Sequence, residues 1–226
     1  MDIKDLQRRI GAVEDGRFGP ASRKALLAHF TNLQANAITA RDIAAAAARL
    51  GVSVAQVRAV RTVEAAGAGY DKAGMPKILY ERHRFHRFTA GRFSPAPFSQ
   101  SKSGGYTDDA NRDGIKDSWD RLCEAIATGE VDNAFQACSW GLFQVMGEWW
   151  DELGYPSPYA MAWTCAQSEG DQLEVFIRYV EHFRLQDELR DLTSNPATCR
   201  PFAAAYNGPA YREGNYDVKL AQAMRL

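Results

Sequence analysis

Residues 53–69 read SVAQVRAVRTVEAAGAG. Ser53 is a helix-capping residue, Val57 and Val60 recur at helical spacing, and Gly67 and Gly69 supply a stop. Glu64 lies seven residues after Val57 and four after Val60, which puts a carboxyl on the apolar face at the end of the helix. Burial disfavours the charged form and raises a carboxyl pKa, and a neutral acid opening into a loop suits general acid catalysis. The competing reading is a glutamate at the edge of the stripe, paired with Arg61 three residues earlier; structural ion pairs of this kind also perturb such groups.

The same helical pattern extends in both directions. Thr39 caps a run through the alanines at 44–48 to Gly51, residues 118–129 resume a helix, and residues 139–150 form a short, apolar, buried stretch. From Gln172 to Leu192, Leu173, Phe176, Ile177, Val180, Phe183 and Leu189 trace one amphipathic helix, and FAAAYNGPAY ends another at Asn207–Gly208. Strand signals are few, the best being Lys77 to Tyr80, and residues 71–107 are loop-rich. The fold class is mainly α. Residues 1–30 form a compact unit of two helices about the turn Glu14–Pro20, with Pro20 in a helical first turn where its missing N–H costs little. Residues 31–38 read as a linker.

The 226 residues are 46% apolar and 24% charged, which excludes a mostly disordered or fibrous chain. No window approaches 18 uninterrupted apolar residues, so no transmembrane helix or stable membrane insertion is expected. The start, MDIKDLQRRIG, is charged and lacks the apolar core of a Sec signal peptide. With 27 basic and 28 acidic side chains, gross charge does not announce a nucleic-acid binder. The distribution is less even: residues 1–36 carry six basic and four acidic groups, and Arg82 to Thr107 carries five basic and no acidic ones. Cys123, Cys138, Cys165 and Cys199 allow two disulfides, but without an export signal four free, largely buried thiols are expected.

Four further features bear on chemistry. Glu81, in LYERHRFHRF, is the natural second carboxylate for glycosidic cleavage, or a salt-bridge partner of the neighbouring arginines. His83 and His86, three apart, lack a third ligand for zinc, and HEXXH, GxSxG and phosphate-loop signatures are absent. Asp109, Asn111, Asp113, Asp117 and Asp120 stand at positions 1, 3, 5, 9 and 12 of a loop with Gly114 at position 6, the logic of a calcium site; the plain alternative is a solvated acidic loop whose Asp117 caps the next helix. Phe85, Phe88, Phe93 and Phe98 alternate with arginines, either as a stacking surface for single-stranded nucleic acid or as a loop pinned to the core by its aromatics.

VEAAGAGY, PKILYERHRF, SGGY, CSWGLFQVMGEWW and AAAYNGPAY, in that order, resemble the N-acetylmuramidase family of phage endolysins, a branch of the lysozyme-like superfamily. LQRRIG followed by EDGRFGPASRKALLAHF resembles a peptidoglycan-binding module, with Ser22 where threonine is usual. The resemblance implies a wall-binding module at residues 1–33, carried by Asp15, Gly16, Phe18 and Gly19, a linker at 34–39, and a lysozyme-like catalytic domain at 40–226. It makes Glu64 the general acid and Glu81 the second carboxylate, acting as a base rather than a covalent nucleophile. It makes Tyr80, His83, Ser139, Gln144, Tyr206 and Asn207 candidate contacts to the sugar or the acid. The implied partner is bacterial peptidoglycan, bound by a monomer with no nucleic acid and no required cofactor, calcium being the one open case. The implied location is the host cytoplasm until a holin releases the enzyme. A lytic transglycosylase giving anhydro ends and a non-catalytic wall-binding protein remain as alternatives.

Overall fold

The computed structural model describes residues 1–64 and 67–226, with the backbone alone at 209–210. Residues 65 and 66, part of the helix-end motif quoted above, lie outside the described residues. The chain runs α1 (Ile3–Arg9), α2 (Pro20–Phe30), α3 (Ala40–Leu50), α4 (Val54–Glu64), β1 (Ile78–Tyr80), α5 (Arg82–Phe88), α6 (Asp117–Ile126), α7 (Val131–Gln136), β2 (Cys138–Trp140) and β3 (Val145–Met146). It continues through a 3₁₀ turn (Gly147–Trp149), α8 (Pro158–Cys165), α9 (Glu169–His182), α10 (Gln186–Arg190), α11 (Pro196–Asn207), a second 3₁₀ turn (Pro209–Arg212) and α12 (Tyr216–Ala223). The architecture is mainly α.

Local chemistry explains the boundaries. Asp2 and Ser168 accept the N–H groups of Asp5 and Asp171, capping α1 and α9. Thr39 and Asp42 form a reciprocal capping box on α3, which Gly51 ends in the left-handed conformation. Ser53 and Gln56 exchange the same pair of bonds at the start of α4. Pro20 opens α2, as expected.

Two expectations need correcting. The helix expected over 172–192 is two, because Arg184 adopts a left-handed φ of 55° and breaks α9 from α10. The apolar stretch 139–150 is not one helix: β1, β2 and β3 form a small antiparallel sheet, Leu79 opposite Ser139 and Trp140 opposite Val145. The buried apolar residues of 1–33 join the core of the rest of the chain. So short a segment buries too little apolar surface alone, and Phe30, fully buried, instead packs against Trp119, Phe135, Trp140, Tyr159 and Trp163. Nor is the linker free of the body: Asn32 donates to the carbonyls of Ala166 and Gln167, and Ile38 is buried. The terminal ammonium of Met1 pairs with Asp132 at 2.5 Å.

The phenylalanines of 85–98 follow the plainer reading. Phe85 is buried, with Phe93 and Phe98 packed on its ring. All four cysteines are free and buried. Phe30→Ala is expected to cost about 3–5 kcal/mol, the range for emptying a core aromatic site. Calorimetry of that variant should show the whole chain melting earlier in one transition; a separate low-temperature transition with an unshifted main one would instead mark an autonomous N-terminal unit.

Candidate active site

Val57 and Val60 are fully buried in α4, which packs against α12, and this turns the last residue of α4, Glu64, inward. Burial pushes its carboxyl up from 4.5 to about 7; a hydrogen bond from Asn207 and the nearby Lys219 ammonium pull the other way and only partly offset the lost hydration. Asn207 ends α11 and Lys219 lies in α12, so two late segments of the chain set the ionisation of an early one. Among the described residues Glu64 makes no ion pair with Arg61; Arg61 instead lines a separate cavity with Met224 and Leu226.

Beside Glu64, the sheet and α9 shape the cleft. Gln144, with a left-handed φ of 51°, donates to the Gly141 carbonyl at 2.8 Å and accepts the Ser139 hydroxyl at 2.8 Å. These two candidate sugar contacts therefore spend their polar groups largely on each other, holding the turn between β2 and β3. Tyr206 is similarly committed: its hydroxyl donates to the Phe143 carbonyl at 2.7 Å, which leaves the ring as its cleft-facing surface. Asn207 lines the same cavity as the acid, and its amide favours the ionised form of Glu64.

Two supports are absent from the sequence reading. Gln172 is buried in α9; its amide oxygen accepts the Leu142 N–H at 2.7 Å and its nitrogen donates to the Cys165 carbonyl at 2.8 Å. A β-carbon at Gly69 would sit 2.1 Å from Gln172 Oε1, and one at Gly141 2.7 Å from its Cδ, so both loops need glycine to close on this amide. Glu169, one turn earlier, accepts the N–H groups of Gly69 at 2.6 Å and Ile38 at 3.0 Å. The available signal was a pair of polar residues three apart at the start of an apolar helix face.

Glu81 begins α5, its N–H donating to the Ala137 carbonyl at 2.8 Å. The Tyr106 hydroxyl donates to its carboxylate at 2.5 Å, and His83 Nδ1 stands 3.1 Å from the same oxygen, off hydrogen-bond geometry. Burial, together with the carboxylate it faces, raises the Tyr106 phenol to about 12; burial lowers His83 despite the attraction of Glu81. Tyr106 is thus a further site residue, carried by the SGGY segment. Tyr80, expected to contact the sugar, is fully buried, and its hydroxyl donates to the Phe98 carbonyl at 3.0 Å.

Two adjoining cavities, of about 410 and 350 Å³, share Glu64, Leu79 and Gln144. The first extends past Lys77, Asp71 and Lys116; the second contains Glu81, Trp149, Tyr179, Tyr206 and Asn207. The acid therefore sits where the two halves of a groove meet, with the second carboxylate in one half and aromatic faces suited to sugar rings beside it.

The side chains of the 109–120 loop have partners within the chain. Asp109 accepts the N–H groups of Asp113 and Gly114, and Asp117 accepts that of Ala110. Arg23 pairs with Asp113 at 3.1 Å and also with Asp120, so a guanidinium stands among the carboxylates. Among the described residues, no group of three or more His, Cys, Asp or Glu is placed to hold a metal. In the N-terminal unit, Asp15 and Gly16 are held by the Gln7 amide, while Phe18 and Gly19 line a groove of about 380 Å³ against α6, away from the cleft.

A family model described as N-acetylmuramidase matches residues 53–225. The crystal structure of the Burkholderia AP3 phage endolysin is similar: 34% identical, with a TM-score of 0.72, over 99% of this chain and 93% of that one. No curated protein matches the chain.

Because the folded-state pKa of Glu64 is raised, its contribution to stability is full below about pH 4.5 and is lost as pH rises through about 7. Glu64→Gln should therefore stabilise the fold by about 3 kcal/mol above pH 8 and change little at pH 4. Urea unfolding at the two pH values checks this; a variant destabilised equally at both would remove the buried-acid assignment.

Proposed function

Because the chain belongs to the N-acetylmuramidase family, and is a glycoside hydrolase of the peptidoglycan-degrading endolysin type, we propose that it cleaves the β-1,4 bond between N-acetylmuramic acid and N-acetylglucosamine with Glu64 as general acid. The observation that carries this reading is the carboxyl held at about 7 where the two halves of the groove meet. At neutral pH a large fraction of Glu64 is protonated and can give its proton to the glycosidic oxygen as the bond breaks. The oxocarbenium-like transition state needs a negative group or an activated water nearby. Glu81 shares a cavity with Glu64 and fills that role as a base acting on water, with Tyr106 fixing one of its oxygens. Asn207 keeps the acid oriented and moderates its pKa. The rings of Trp149 and Tyr179 line the same half-groove, where sugar faces can stack.

Among the described residues no single helix is long and apolar enough to cross a membrane. We assign the protein a place in the host cytoplasm until a holin opens the route to the wall, where it ends the infection by lysis.

Mass spectrometry of fragments from purified peptidoglycan tests the reaction. Wild type should leave reducing muramic ends, and Glu64→Gln should lose about 10²–10⁴-fold in kcat while folding normally. Anhydro-muramic ends would convert the assignment to transglycosylation, and intact glycan with retained wall binding would reduce the protein to a binding module. The kcat/KM profile should fall on its alkaline side with a midpoint at about 7. Asn207→Ala should move that midpoint upward, because the lost hydrogen bond favours the ionised acid.

A further inference from the structure

The half-groove that does not contain Glu81 is lined by two ammonium groups, Lys77 and Lys116. They are not equivalent. Lys116 is neutralised by Asp108 at 2.6 Å. Lys77 is half-buried and, among the described residues, makes no ion pair. Asp71, on the same wall, gives a carboxylate oxygen to the N–H groups of Ala73 and Met75 and is held in its own turn.

The backbone of Lys77 is fixed at both its N–H and its carbonyl. Its N–H donates to the Gly69 carbonyl at 2.9 Å, and its carbonyl accepts the Gly141 N–H at 2.8 Å. The ammonium reaches back toward the segment that follows Glu64: a β-carbon at Gly67 would lie 3.7 Å from Lys77 Nζ. A cation thus lines the same half-groove as the acid and, among the described residues, makes no ion pair.

A glycan of alternating N-acetylglucosamine and N-acetylmuramic acid differs from chitin in one charged respect. Every muramic residue bears a lactyl arm that ends in a carboxylate or continues into a peptide stem carrying one. We infer that Lys77 is the residue of this cleft that recognises that carboxylate and so registers a muramic rather than a glucosamine unit beside Glu64. The inference rests on the muramidase reading above and adds to it the determinant of substrate register. A charge-assisted hydrogen bond of this kind contributes chiefly to ground-state and transition-state binding alike, so its loss appears in KM.

The test compares wild type, Lys77→Met and Lys77→Arg on purified sacculi and on glycan strands stripped of stems by an amidase, each substrate used native and with its carboxylates amidated by carbodiimide and ammonia. Lys77→Met should raise KM about tenfold with kcat within about twofold, the size expected for one such bond, and Lys77→Arg should recover most of the loss. Amidation should raise the wild-type KM by the same factor and leave Lys77→Met unmoved. An amidation effect confined to sacculi identifies the stem carboxylate as the ligand, and one confined to stripped strands identifies the lactyl carboxylate. A Lys77→Met enzyme with wild-type KM, or one as sensitive to amidation as wild type, overturns the inference. If wild type leaves no reducing muramic ends, the muramidase reading fails separately. Co-sedimentation of Glu64→Gln with native and amidated sacculi, with and without Lys77→Met, then still decides Lys77: unchanged binding overturns it, and binding lost on either change supports it.

Discussion

Two buried polar side chains on the first turn of α9 hold the site together. Gln172, 1% exposed, and Glu169, 4% exposed, accept backbone N–H groups from the segment after Glu64, from the turn after β2 and from the entry to α3. None of those segments has regular structure at the contact point, so their backbone groups find partners here or nowhere. An unpaired buried donor costs about 1–3 kcal/mol, which makes the cluster an all-or-nothing arrangement. The glycines at 69 and 141 follow from it, since any β-carbon would occupy the place of the Gln172 amide.

With the loops fixed in this way, the electrostatics of the cleft follow from desolvation. Glu64 loses hydration to α12 and the aromatic wall, and the compensating contacts are one amide hydrogen bond and one ammonium. Neither matches the lost water, so the acid titrates near neutrality. Glu81 has the contrasting environment: it meets a phenol donor and a histidine at the edge of the cleft. Two carboxylates that share one cavity thereby have different surroundings.

The N-terminal unit illustrates how a local motif and a tertiary role can diverge. Its DGRFG turn is built as the pattern suggests, around the Gln7 amide and the buried Ser22. Its apolar face, however, is spent on the aromatic cluster about Phe30, and its Arg23 on the carboxylates of the 109–120 loop. In this arrangement the acidic side chains of that loop meet an arginine and the loop's own N–H groups.

Much of the fold was written locally. Capping residues at 39, 53 and 168, Gly51, Pro20 and the apolar periodicity of α4 and α9 act over a few residues, and they sufficed for a mainly helical chain and for Glu64 as a carboxyl on an inward face. Glu81 and Asn207 came from the resemblance of short motifs, and the structure brings both to the cleft beside Glu64. Other features could not be read this way. The break at Arg184 lies inside an unbroken apolar pattern, because periodicity records which side is buried and not whether the axis continues. Tyr80 looked like a site residue from its neighbours along the chain, and strand pairing turned it into the core. Tyr106, Gln172 and Lys77 acquire their roles only across 25, 30 and 64 positions, where Tyr106 meets Glu81, Gln172 meets Leu142 and Lys77 meets Gly141. The sequence by itself determined that the chain is mainly helical and which faces its main helices bury, since those depend on neighbours within a turn or two. Tertiary structure alone decided which polar groups meet, because hydration, pairing and charge are properties of a place in space to which distant segments contribute.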